Sequence, residues 1–92
     1  MIACDATCCR IAGAVTVDSA GGLLRELQPR LANGLETLDF SGVETADSAA
    51  LALIFSAMRQ AHQAGRTLTC TGLPPSFGTL AELYGVSDLL PA

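Results

Sequence analysis

The sequence has no lysine and no tryptophan, and its aromatic side chains amount to three Phe and one Tyr. Each shortage excludes something. Without lysine there is no P-loop, no Schiff-base amine and no ammonium to hold the phosphates of ATP, so an ATP-using enzyme is not expected. The five basic residues, Arg10, Arg25, Arg30, Arg59 and Arg66, are scattered in a chain of net charge −4. Nucleic-acid binding needs a basic stripe, and none is present. With so few aromatics, the core must be built from Leu, Val, Ile and Ala through many small contacts. No apolar run reaches the ~18–20 residues that span a bilayer, so direct membrane insertion is not expected. The first residues lack the basic region and continuous apolar run of a signal peptide.

Cysteine is present but poorly arranged for chemistry. Cys4, Cys8, Cys9 and Cys70 form no C-x-x-C pair, and the one histidine, His62, stands away from them. Metal-ligand spacing is therefore absent. The pattern reads as reduced, mostly buried thiols of a cytosolic domain, with a disulfide among the four left open. Nor do His62, Cys8, Cys9 and the scattered carboxylates form a nucleophile–base pair that spacing can support. No catalytic residue, cofactor site or metal site is expected, and the chain is not read as an enzyme.

Ninety-two residues make one domain, 1–92, in which only roughly 60–65% of the unfolded surface can be buried. Met1 to Cys4 and Cys9 to Val17 are short strand-like segments around Asp5-Ala6-Thr7 and read as a hairpin. Asp18-Ser19 looks like a helix cap, followed by Leu23, Leu24, Leu27 and Leu31 as one apolar stripe. Pro29 is placed to kink or end that helix early, and Asn33-Gly34 closes it. Leu35 to Phe40 is a short strand with Ser41-Gly42 as its turn. A second helix runs from about Ser48 to Ala64 and stops at Gly65. Thr67 to Thr71 alternates as a strand with Leu68 and Cys70 on one face. After the break at Gly72, Pro74 and Pro75, a third helix is expected from about Ser76 to Tyr84. The order β-β-α-β-α-β-α predicts an α/β fold, a mixed sheet flanked by helices.

The second helix is unusually apolar. On a 3.6-residue turn, Leu51, Ile54, Phe55 and Met58 fall on one side, which is expected to face the sheet. Ala50, Leu53 and Ala57 fall mainly elsewhere, and Ser56 is the only polar residue from Ala49 to Met58. One explanation is a helix buried by its neighbours. The other is an outer docking face for a partner protein, with Ala49, Ala50, Ala52 and Ala57 permitting close approach and Leu53 as anchor. Arg59, Gln60, His62 and Gln63 are expected in solvent. At the tip, either Asp47 or Ser48 can cap the first free N–H groups. Ser48 can alternatively contact a partner or accept a phosphate, adding about −1.5 to −2 charge beside Asp47.

The run "LDFSGVETADSAALALIFSAMRQAHQAGRTLTCTGL" resembles the core of STAS domains, the fold of anti-sigma-factor antagonists and of sulfate-transporter tails. Its Asp39-Phe40-Ser41 and Asp47-Ser48 match the family's strand end and the hydroxyl opening its partner-docking helix. "RIAGAVTVDSAGGLLREL", Arg10 to Leu27, resembles the family's earlier strand, with Gly13 at the family's glycine. The tail "TLAELYGVSDLLP" is similar to that of the small stand-alone STAS subunits of bacterial Mla phospholipid-transport ABC complexes. Those carry Thr where Ser48 stands, and many relatives have glycine where this chain has Ala49-Ala50. The resemblance implies a STAS-type sheet and a non-catalytic subunit that binds and regulates or stabilises a cytoplasmic ABC ATPase. Such a subunit is cytoplasmic and reaches the inner membrane through its partner. The alternative it implies is an anti-sigma-factor antagonist switched at Ser48 by an anti-sigma-factor kinase. In both, Asp47, Ser48, Ala49, Ala50, Leu53 and Ala57 are the partner-binding candidates.

Overall fold

The computed structural model describes residues 2–75 and 77–79. The expected hairpin forms from β1 (Ile2–Cys4) and β2 (Cys8–Val15), paired antiparallel. Its turn is held by Asp5, whose Oδ1 accepts from the Thr7 and Cys8 N–H groups at 3.1 and 2.9 Å. Helix α1 (Ala20–Ala32), strand β3 (Thr37–Ala46), helix α2 (Ser48–Gln63) and strand β4 (Thr69–Thr71) follow. The sheet order is β1-β2-β3-β4, with β2/β3 and β3/β4 parallel, so each helix is the crossover of a βαβ unit. The mixed sheet flanked by helices is the expected fold class. Of the expected third helix, residues 77–79 are helical, and the rest of it and the Tyr84-to-Pro91 tail lie outside the described residues.

The sheet is two-faced. Cys9, Ile11 and Val15 of β2, Leu38 and Phe40 of β3 and Cys70 of β4 are buried. They join Leu23, Leu27 and Leu31 of α1 and Ala50, Leu53, Ile54, Ala57 and Ala61 of α2 in one core. The two helices also pack on each other. Arg10, Ser41, Thr69 and Thr71 are exposed on the other side of the sheet. Phe77 closes the core, its ring centroid 5.7 Å from that of Phe40, and both rings are fully buried.

Three local expectations are corrected. Ser41-Gly42 is no turn: β3 runs through it to Ala46. Extra residues are accommodated as bulges, since Arg10 pairs with Asp39 but Ala12 with Gly42, and Gly13 with Val43 but Ala14 with Thr45. Gly42 suits the crowded bulge, where a Cβ would lie 3.0 Å from that of Ala12. Pro29 neither ends nor shortens α1, which continues through it to Ala32. The cap expected at Ser19 is absent, because its hydroxyl accepts from Thr16 N–H at 3.0 Å and donates to Ala14 C=O at 3.0 Å. It closes the turn before the helix instead.

The cysteines also depart from a fully reduced set. Cys4 and Cys9 face each other across β1 and β2 with Cα atoms 4.1 Å apart and are joined as a disulfide. Cys8 is a half-buried free thiol, and Cys70 is free and buried. Cys4, Cys9, Leu38 and Cys70 form one row across the four strands.

Candidate functional site

The start of α2 is built by Asp47. Its backbone is extended, and its carboxylate Oδ1 accepts from Ala49 N–H at 2.8 Å, capping a helix N–H that would otherwise lack a partner. Its Oδ2 accepts from Val17 N–H at 3.1 Å, and its own N–H donates to Val15 C=O at 3.3 Å. The tip of α2 is thereby tied to the end of β2. This settles which residue of the pair caps. Ser48 is exposed, and its hydroxyl has no hydrogen-bond partner among the described residues. Its O–H is presented to solvent at the positive end of a 16-residue helix.

The outer face of α2 is not the expected one. Ala50 and Ala57 are fully buried and Leu53 is 2% exposed, all within the core. Leu53 therefore cannot anchor a partner in this structure, nor can Ala50 or Ala57 line an outer face. Leu51 and Ile54 are buried as expected, but Phe55 and Met58 are only half-buried. The buried arc is turned by roughly one residue's step, ~80–100°, from the wheel drawn on the sequence. Packing explains the turn: α2 shares its core with the sheet and also packs against α1, so two adjacent sides are covered and Ala50, Ala57 and Ala61 are fully buried. The apolar residues of this helix are thus mostly core.

What remains outward is a narrow stripe. Ser48, Ala52, Phe55 and Arg59, at spacings of four, three and four, lie on one side; Phe55 is half-buried and the others are exposed. Ala49 and Ser56, both half-buried, flank it. Asp47, Ser48 and Ala49 of the sequence candidates are thus brought together at the helix tip, while Ala50, Leu53 and Ala57 lie beneath it. Phe55, which the sequence places on the sheet side, is half-exposed, and Arg59 is in solvent as expected; neither is among the sequence's partner-binding candidates. Counting steps of 100° from Ser48 would have found them.

A second polar feature lies on the open face of the sheet. Arg10 Nε donates to Asp39 Oδ2 at 3.2 Å across β2 and β3. The Asp39 carboxyl is held below the ordinary value of 3.8, first by the Ser41 N–H, which donates to its Oδ1 at 2.9 Å, with the Ser41 hydroxyl and Arg10 adding to this. Asp5 is likewise lowered by its two backbone donors, Thr7 and Cys8. Both serve local structure. Among the described residues no group of three or more His, Cys, Asp or Glu comes together to hold a metal. No helix there is long and apolar enough to cross a membrane.

Comparison with known families decides what this architecture is. The family model described as "Mlab, STAS domain" matches residues 3–91. The chain belongs to the STAS-domain family. Among solved structures it is similar to the anti-sigma factor antagonist SpoIIAA in its unphosphorylated form, with a TM-score of 0.71 at 13% identity over 100% of this chain and 86% of that one. At that identity the likeness speaks for the fold. No curated protein matches. In this STAS domain the Asp47-Ser48 pair stands at the start of the helix after β3, where the sequence resemblance expected it.

Proposed function

We propose that this STAS domain is a non-catalytic subunit of a phospholipid-transport ABC system of the Mla type. In this reading it binds the cytoplasmic ATPase subunit and regulates or stabilises it. It is cytoplasmic and lies at the inner membrane only through that partner. The observation that carries the reading is the family match, which spans residues 3–91 and bears the Mlab description. The geometry supports a docking role, since Asp47 holds the helix tip rigidly while the Ser48 hydroxyl is left free beside an exposed alanine and a half-exposed phenylalanine. Aromatic side chains flanked by small residues suit the centre of a protein interface.

Co-expression with the ATPase subunit of the same organism tests it. The wild-type chain should co-purify and alter ATP turnover, and Ala52→Glu should do neither while remaining folded. An ATPase subunit that is stable and equally active with or without the chain would sink the reading.

A second reading rests on one observation. Ser48 is exposed and unused by the cap, which suits a residue phosphorylated by an anti-sigma-factor kinase. Mass spectrometry after incubation with such a kinase decides it: a phosphate on Ser48 supports the antagonist reading, and an unmodified Ser48 beside a competent kinase removes it.

A further inference from the structure

At the far end of α2 a cleft of about 340 Å³ is lined by Met58, Arg59, His62, Arg66, Thr67 and Leu68. Two of the five arginines and the one histidine of an acidic chain converge there. No carboxylate lines it, and none of the three makes an ion pair or side-chain hydrogen bond among the described residues. Two other clefts mix their signs, one with Asp5, Glu26 and Arg30 and one with Asp5 and Arg10. The helix C-terminus favours a cation in its last turn, which accounts for His62 but not for Arg66, beyond the helix. Arg66 is also positioned: a Cβ at Gly34 would come within 2.9 Å of its Nη1, so the guanidinium lies over bare glycine backbone.

Arg59 belongs both to this cleft and to the outward stripe that begins at Ser48. The cleft is therefore continuous with the proposed docking face. We propose that it receives an acidic segment of the docked partner, in which two or more Asp or Glu side chains meet Arg59 and Arg66. Guanidinium forks match carboxylates two bonds at a time, and Met58 and Leu68 supply apolar wall for the stems. Two guanidiniums on a chain of net charge −4 are too few to track a nucleic-acid backbone. The inference rests on docking through α2 and adds what the partner must carry.

The test measures binding of the purified ATPase subunit at two salt concentrations. Wild type should bind and weaken as salt rises. The Arg59→Glu/Arg66→Glu double variant should lose about tenfold or more in affinity and most of that salt dependence, while Arg59→Lys/Arg66→Lys retains part of both. A circular-dichroism melt shows whether the double variant is folded; both sites are exposed, so an unchanged melt is expected. A folded double variant that binds as wild type, with the same salt dependence, overturns the acidic-segment proposal and leaves α2 docking standing. Should the double variant not fold, Arg66→Gln decides in its place by the same criteria. Absence of wild-type binding would overturn both.

Discussion

Val17 and Asp47 are joined across thirty positions of sequence: the Val17 N–H donates to Asp47 Oδ2 at 3.1 Å. The same carboxylate caps α2 through Ala49. One side chain therefore fixes both the end of β2 and the start of the helix whose tip carries Ser48. Asp47→Ala should remove two backbone partners at once and destabilise the fold by about 1–2 kcal/mol. Urea unfolding should show a lower midpoint with an unchanged slope. Asp47→Asn keeps one acceptor and should fall between.

Ser48 should behave in the opposite manner. Its hydroxyl caps nothing among the described residues, so Ser48→Ala should change stability by less than about 0.5 kcal/mol. Any effect it has on partner binding or ATP turnover can then be assigned to the surface. Ser48→Asp places a second carboxylate beside Asp47 and should weaken docking on an interface that must be desolvated. A Ser48→Ala protein that melts well below wild type would show that the hydroxyl has a structural partner.

Much of the fold was legible because its signals are local and redundant. The β-hairpin, the Leu23/Leu27/Leu31 stripe and the stop of α2 at Gly65 each follow from spacing and turn chemistry, and the Asp-Ser pair was identified as the helix opening. The misread parts depend on what lies across the structure. Ser41-Gly42 has the composition of a turn, yet parallel pairing with β2 absorbs it as a bulge. The orientation of α2 was the larger error. A helix that is apolar nearly all round gives no polar face to set its rotation, and only the place of α1 decides that Leu53 points inward. Likewise Arg66 joins Arg59 and His62 only because the chain after α2 turns back along the helix: the Arg66 N–H donates to Ala61 C=O at 2.9 Å.

The cysteines should separate into three classes. Without reductant, native protein should expose one readily labelled thiol, Cys8, while Cys70 reacts only on unfolding. Burial pushes the Cys70 thiol up to about 11 from 9.0, so its reactive thiolate is scarce at neutral pH. Denaturation plus reduction should reveal four. Reducing Cys4–Cys9 should lower stability by about 2 kcal/mol on the loop-closure argument for so short a ring. Four reactive thiols in unreduced, unfolded protein would contradict the disulfide.

The same Cys70 gives a signed alkaline prediction. In the unfolded chain the thiol ionises near 9.0 and in the fold near 11, so its contribution is intact below 9 and is lost as pH rises from 9 toward 11. Cys70→Ala should flatten that part of the stability profile. At the acid end the sign reverses. Asp5 and Asp39 are held below the ordinary 3.8 in the fold, so their contribution is complete above that value and is lost as pH falls through their lowered folded-state values. Asp5→Asn/Asp39→Asn should make the melting temperature less sensitive to pH below 4.

Neighbouring residues of α2 provide the sharpest contrast. Leu53 is 2% exposed and in the core, whereas Ala52, one step away, is on the surface. Leu53→Ala should cost about 2–5 kcal/mol through lost burial and the cavity left behind, and the fraction that remains folded should still bind the partner. Ala52→Glu should leave the melt within the scatter of surface substitutions, about 0.5 kcal/mol, yet abolish co-purification with the ATPase subunit. The two variants therefore dissociate stability from docking along a single helix. If Leu53→Ala lost binding at full stability and Ala52→Glu retained it, Leu53 would face the partner after all, and the rotation of α2 described above would be wrong.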